Sequence, residues 1–206
     1  MLSQIRTYSY TGNLEYFLAQ KWWEPDELRG SCPVLRGAGA VMPRSTHPYL
    51  WTQEGWLYVA AVLDLFSRRI IGWAMAEHMR ETLVSAALQM AIVRRQPDAG
   101  LLHHSDRGVQ YASARYRAIL SNAGMIASMS RKGNCWDNSV MERAWGSLKS
   151  ERTDGMRYPN RATAKADVID YFEMFYNSSR LHSTLGYVSP LQFENQYRLT
   201  NLSTST

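Results

Sequence analysis

Asp106 closes the run Leu101-Leu102-His103-His104-Ser105-Asp106-Arg107-Gly108, and Glu142 lies in Asp137-Asn138-Ser139-Val140-Met141-Glu142-Arg143. The first segment reads as a short strand that delivers an acid to its end, the second as the start of a helix. Carboxylates converging from such positions can hold divalent ions, which activate an attacking oxygen and stabilise a leaving one at a phosphodiester. Mg²⁺ suits that task because it takes hard oxygen ligands, few of them from protein, and keeps positions open for phosphate and water. By spacing alone, however, Asp106 and Glu142 are as readily a turn residue and a helix-face charge. His103 and His104 are ligands by type, but a histidine at a strand end is more often hydrogen-bonded within the fold, and that is the expectation here.

The charge around the second carboxylate fits a polyanion. Residues 131–161 hold seven Lys/Arg against four Asp/Glu, whereas residues 162–206 hold three against four, in a chain of net charge +5. Lysine and arginine neutralise phosphates and release their counterions. Arg131 and Lys132, in a basic loop directly before the Glu142 helix, are expected to face DNA. Lys149 is divided between DNA contact and a solvated helix face. Trp136 and Trp145 are expected to pack.

The elements that must position these residues are legible in the hydrophobic pattern. From Tyr49 to Met75 the chain reads strand, turn, strand, turn, strand, with breaks at 53–55 and 66–69. Trp56 to Leu63 is nearly continuous in apolar residues, as expected of a central strand covered on both faces. Val84, Ala87, Leu88, Ala91 and Ile92 recur at helical spacing, and Pro97 with Gly100 ends that helix. The strand Leu101 to His104 follows, then a helix capped by Ser113 and stopped by Gly124, then a strand from Met125 to Ser130. Asp137 can cap the next helix, on which Met141, Ala144, Trp145 and Leu148 form an apolar stripe with Glu142 beside it and Asn138, Glu142 and Lys149 on a neighbouring face. A helix from Thr163 to Asn177, with Val168, Ile169, Phe172, Phe175 and Tyr176 inward, precedes a last helix opened by Ser189-Pro190-Leu191-Gln192. A tail frayed after Leu199 is expected. The order βββαβαβα, three antiparallel strands and then parallel crossovers, is an α/β plan of RNase H-like type.

Composition sets the remaining bounds. A chain of 206 residues with 45% hydrophobic content and seven Trp can bury a core. No apolar run approaches the roughly 20 residues that span a bilayer, and residues 1–10 lack a signal-peptide pattern, so the cytoplasm is the expected setting. Cys32 and Cys135, the two cysteines, are far apart, without zinc-ligand spacing, and fit a reducing compartment. Residues 1–48 differ from the rest, with Trp22-Trp23, scattered glycines and no sustained period. The expected organisation is an atypical N-terminal segment over 1–48, a core over 49–151, and a helical extension with its tail over 152–206.

Five longer motifs carry a family resemblance: Trp51-Thr52-Gln53-Glu54-Gly55-Trp56-Leu57-Tyr58; Leu63-Asp64-Leu65-Phe66-Ser67-Arg68-Arg69-Ile70-Ile71-Gly72-Trp73; His104-Ser105-Asp106-Arg107-Gly108-Val109-Gln110-Tyr111; Ser128-Met129-Ser130-Arg131-Lys132-Gly133-Asn134-Cys135-Trp136-Asp137-Asn138; and Arg180-Leu181-His182-Ser183-Thr184-Leu185-Gly186-Tyr187. From about Tyr49 to Tyr197 the chain resembles the OrfB catalytic proteins of bacterial insertion sequences, DDE transposases with a core like that of retroviral integrase. The resemblance implies DNA cutting and strand transfer at element ends, dependence on Mg²⁺ or Mn²⁺, and action as a homo-oligomer or with other transposase subunits. It makes Asp106 and Glu142 the second and third members of a metal-binding triad.

The first member departs from the family. There, an aspartate, a hydrophobic residue, threonine and tyrosine stand on the first core strand just before the segment matching Leu50-Trp51-Thr52. Aligning Tyr49 with that tyrosine puts Thr46 at the aspartate and Pro48 within a strand that should donate to a ladder. Residues 1–48 then read as the product of a frameshift, a rearrangement or a mis-assigned start. Asp64 lies in the second strand, where the family's aspartate is not a triad member, and its expected role is to cap or pair at the turn with Ser67 or Arg68. The motifs thus imply a transposase core for metal-dependent DNA cleavage and strand transfer; the alternative, which the empty first-aspartate position favours for this copy, is a catalytically dead remnant that binds DNA or transposase subunits. No helix-turn-helix for end recognition is recognisable, and such a region is expected upstream or on a partner chain.

Overall fold

The structure is a computed structural model that describes residues 2–5, 49–106, 108–129 and 139–203, so Thr46, Pro48, the basic loop with Arg131, Lys132 and Trp136, and the cap residue Asp137 lie outside the described residues. One strand, β3 (Gly55–Asp64), divides the rest into layers. Its residues are apolar on both faces, so both must be covered, and each fully buried aliphatic side chain then contributes about 1.5–3 kcal/mol. Leu57, Val59, Ala61 and Leu63 pack into one cluster with Met141, Trp145, Val168 and Phe172. Ala60 and Val62 pack into the other with Val84, Leu88, Tyr116 and Leu120.

Antiparallel hairpins flank β3. β2 (Tyr49–Thr52) returns through the turn at Gln53-Glu54, with Thr52 opposite Gly55, whose φ of +102° suits glycine. β4 (Ile70–Ala76) follows a turn in which Arg68 takes φ +60°. Helix α1 (Glu81–Arg95) lies close on β4, because Gly72 leaves room: a Cβ there would clash with the Ala87 carbonyl and come within 2.8 Å of the Ala91 Cβ. β5 (Leu102–Ser105) and β6 (Ile126–Met129) are parallel, joined by α2 (Ala114–Asn122). Ser113 caps α2 by accepting from the Tyr116 N–H at 3.1 Å, and Gly124 takes φ +66° just beyond it.

The second helical layer is α3 (Ser139–Leu148) and α4 (Arg161–Asp170), each continued by a π-helical turn, Lys149–Thr153 and Tyr171–Tyr176 respectively. The second turn changes the face expected from the sequence. Tyr171, Phe172 and Tyr176 are buried while Phe175 is 40% exposed, because the wider π turn rotates later residues away from the 3.6-residue stripe. Helix α5 (Pro190–Ser203) begins with the expected reciprocal cap, Gln192 N–H to Ser189 Oγ at 3.3 Å and Ser189 N–H to Gln192 Oε1 at 3.0 Å, and runs past Leu199, where fraying was expected. The C-terminal elements are stitched to the sheet. The buried Asn177 side chain takes the Ile70 N–H at 2.8 Å and gives a hydrogen to the Ile70 carbonyl at 2.9 Å, standing in for a strand neighbour.

A further strand, β1 (Leu2–Ile5), is absent from the sequence reading. It lies between β3 and β5, parallel to the former (Leu2 opposite Ala61, Ile5 opposite Asp64) and antiparallel to the latter (Ser3 opposite Ser105, Ile5 opposite His103). Since β4 covers one edge of β3, β2 and β1 share the other edge end to end, in opposite directions. A strand continuing the direction of β2 would run parallel to β5; β1 does not.

Candidate functional site

Asp106 follows β5 directly and is half-buried; its Oδ1 accepts from the Gly108 N–H at 2.7 Å, a tight turn that anchors the carboxylate. Glu142 stands in the first turn of α3, exposed, beside the buried stripe of Met141, Ala144, Trp145 and Leu148. Lys149, two turns further, is also exposed. Thus the acid and the ammonium occupy the solvent side of a helix whose other side is buried against the sheet.

The strand beside Asp106 supplies no acid. The register of β1 against β5 runs Ile5–His103, Gln4–His104, Ser3–Ser105, ending at the residue before Asp106. Among the described residues no group of three or more His, Cys, Asp and Glu converges as a metal site. Asp106 and Glu142 have the right donor chemistry for Mg²⁺, hard oxygens, and they are two of the three carboxylates that the resemblance implies.

Asp64 does not fill the gap. It is in the row of Ile5 and His103, three residues from the row that leads to Asp106, about 10 Å at ~3.3 Å per residue. Its Oδ1 accepts from the Phe66 N–H at 2.9 Å, the turn-capping role expected of it, and Arg95 stands 3.0 Å away as a charged partner. Burial pushes its carboxyl above the usual range, and Arg95 only partly offsets this. Arg95 also pairs with Glu194 of α5, which Arg69 reaches at 2.9 Å, so this buried cluster ties α1 and the β3–β4 turn to α5.

The histidines are structural. His103 Nε2 meets the Tyr116 hydroxyl at 2.9 Å, and burial, with a smaller contribution from His104, drives its pKa down to about 3. His104 Nδ1 meets Ser128 Oγ at 3.0 Å, bracing β5 against β6. Part of the basic excess is likewise committed: Arg152 pairs with Asp167 and Asp170, both at 2.7 Å, and Arg161 with Glu77 at 3.3 Å. Lys149 and Arg157 remain exposed. Nothing in the local pattern signals these pairs, because their partners are distant along the chain.

Comparison with known proteins agrees with this geometry. Among solved structures, the catalytic core domain of BIV integrase aligns with a TM-score of 0.51 over 76% of this chain and 95% of that one, at 17% identity. A chain of the simian T-cell lymphotropic virus intasome in complex with PP2A regulatory subunit B56 gamma aligns with a TM-score of 0.57 over 71% of this chain and 51% of that one, at 14% identity. These likenesses establish the fold as an RNase H-like integrase core. Two family models, each described as an integrase core domain, match residues 45–135 and 123–190. The chain is 48% identical over 149 residues to the insertion element IS600 uncharacterized 31 kDa protein of Shigella sonnei (72% of this chain, 55% of that protein). It is 47% identical over 148 residues to transposase InsF for insertion sequence IS3A of Escherichia coli (72% and 51%). To the transposase for insertion sequence element IS904 of Lactococcus lactis it is 42% identical over 146 residues (71% and 58%). Over residues 45–190 the chain matches integrase core domains and is similar to insertion-sequence transposases, and it spans about half the length of the curated relatives it matches.

Proposed function

We propose that this chain is the catalytic-core portion of a DNA transposase, of the class that cuts element ends and joins them to target DNA, in a copy that binds DNA but does not complete the reaction. The observation that carries the second half is β1: the slot beside the Asp106 strand is taken by Leu2-Ser3-Gln4-Ile5, reversed in direction and without a carboxylate. Asp106 and Glu142 are the residues that would hold Mg²⁺ or Mn²⁺. Because they are too few for the triad, no step is derived through a metal.

The other roles belong to the same reading. Lys149, and Arg131 and Lys132 of the loop before α3, position the phosphate backbone, which fixes register without reading sequence. Residues 49–151 form the catalytic-type core and 152–206 the helical extension. The partners are element-end and target DNA and further transposase subunits.

The test is joining of a labelled terminal-repeat oligonucleotide to target DNA with Mg²⁺ or Mn²⁺ present, using Glu142→Gln as control. The expected result is no joining above that control. Rebuilding the strand before Tyr49 with the family motif restores joining better than Thr46→Asp alone, because Pro48 interrupts the ladder. Robust joining by the unaltered chain, abolished by Glu142→Gln, would refute the inactive reading.

A further inference from the structure

Apolar packing holds α3 against the sheet but is non-directional, so it leaves rotation and sliding of the helix weakly fixed. The end of the helix is held differently. Arg180, just past the π turn of α4, donates from Nη2 to Ser147 Oγ on α3 at 2.8 Å. The same guanidinium grips Glu151 in the turn that continues α3, through Nε at 2.9 and 3.0 Å and Nη2 at 2.8 Å. The Tyr171 hydroxyl donates to Glu151 Oε2 at 2.6 Å. Burial raises the Glu151 pKa, but the bonds from Arg180 and Tyr171 outweigh it and hold the carboxyl below its usual range.

The chain beyond Arg180 folds back to support it. His182 sends its N–H to the Val188 carbonyl at 3.2 Å, while its own carbonyl accepts from Leu185 at 3.0 Å and Tyr187 at 2.9 Å. Gly186 and Tyr187 both take positive φ, 75° and 59°. The His182 ring stands edge-on to Tyr176 at 5.0 Å, and the Arg180 guanidinium lies 5.7 Å from the centre of that same ring. Burial is the main cause that lowers the His182 pKa to about 4, so the ring adds no positive charge beside Arg180.

We propose that Arg180 is a positioning residue for α3: its fork fixes the rotation and axial placement of the helix that presents Glu142 and Lys149. The turn at 180–188 thereby belongs to the site instead of being an appendage to it. Bidentate guanidinium–carboxylate bonds supply the direction that apolar contacts lack. The functional weight of this placement rests on the reading that Glu142 serves the site.

The experiment places spin labels on the full chain, with Cys32→Ser and Cys135→Ser, at Val93→Cys, 73% exposed on α1, and at Gly146→Cys on α3, where a Cβ meets nothing within 4 Å. Pulsed electron resonance then reads the distance across the sheet. The expected result is one narrow distance in the parent, a broadened or displaced one in Arg180→Lys and Arg180→Gln with the circular dichroism retained, and recovery in the double exchange Arg180→Glu with Glu151→Arg. Should Arg180→Gln not fold, Arg180→Lys and Glu151→Gln decide. An unchanged distance in folded variants, with only a lower melting temperature, overturns the proposal. Mn²⁺ binding, with and without Glu142→Gln, is measured separately. Binding indifferent to Glu142 refutes the site reading, while a label distance that still responds to Arg180 keeps the positioning role.

Discussion

Single residues show how position overrides type. Asp64 and Asp106 are both aspartates at strand ends in family motifs, yet one is sealed against Arg95 and the other stands half-exposed. Arg95 faces two buried carboxylates, Asp64 and Glu194, so Arg95→Met takes a guanidinium from both, while Arg69 stays on Glu194. Denaturant unfolding is expected to show a loss of about 3–5 kcal/mol, the cost typical of breaking a buried ion pair from one side. Adding Glu194→Gln recovers part of it. His103, buried, and His182, half-buried, set a pH dependence. Both have folded pKa values below the ordinary 6.5, His103 at about 3 and His182 at about 4. The unfolded chain therefore takes up protons first, and the stabilisation is present above pH 6.5 and lost as pH falls towards 4. Melting curves between those limits are expected to show a steady decline, made shallower by His182→Gln. A slope unchanged in that variant refutes its share.

Among the elements, β1 carries the least expected role. Four residues from a segment without periodicity close the gap between β3 and β5, and without them both strands would expose unpaired ladder groups within the sheet. Gln4→Pro removes a ladder hydrogen and is expected to lower stability and hydrogen-exchange protection in β5 and along Ala61 to Asp64, while the β2–β3 hairpin keeps its protection. Equal protection in parent and variant would show that the slot does not depend on this strand. The helices were more legible: the spacing of Val84, Leu88 and Ala91 marked α1, and that of Met141, Ala144, Trp145 and Leu148 marked α3, since an amphipathic helix writes its buried face at period 3.6. Phe175 escaped the same rule because a π turn intervenes, and nothing in a local pattern signals one.

For the molecule as a whole, the balance of charge is less available than composition suggests. Arg152 and Arg161 are bound in ion pairs, while Lys149 and Arg157 stand exposed. Duplex DNA binding is expected to be weak and to fall steeply with salt. Lys149→Ala reduces the slope of log K against log salt by about 1, as loss of one phosphate contact does. Titrations at several salt concentrations decide it, and an affinity insensitive to salt would count against a DNA-facing role. No helix among the described residues is long and apolar enough to cross a membrane.

The sequence by itself determined the strand–helix order, the central place of β3, the caps at Ser113 and Ser189, and Asp106 and Glu142 as the candidate acids. These are written in short-range periodicity, turn chemistry and long ordered motifs. Only the tertiary structure decided what depends on residues far apart in the chain: the choice of Arg95 and Glu194 as neighbours of Asp64, the grip of Arg180 on Glu151 and Ser147, and the insertion of Leu2–Ile5 beside the Asp106 strand. Local pattern says which face of an element is buried. It does not say against what, because hydrophobic burial is non-directional and partners are chosen only when the whole core closes.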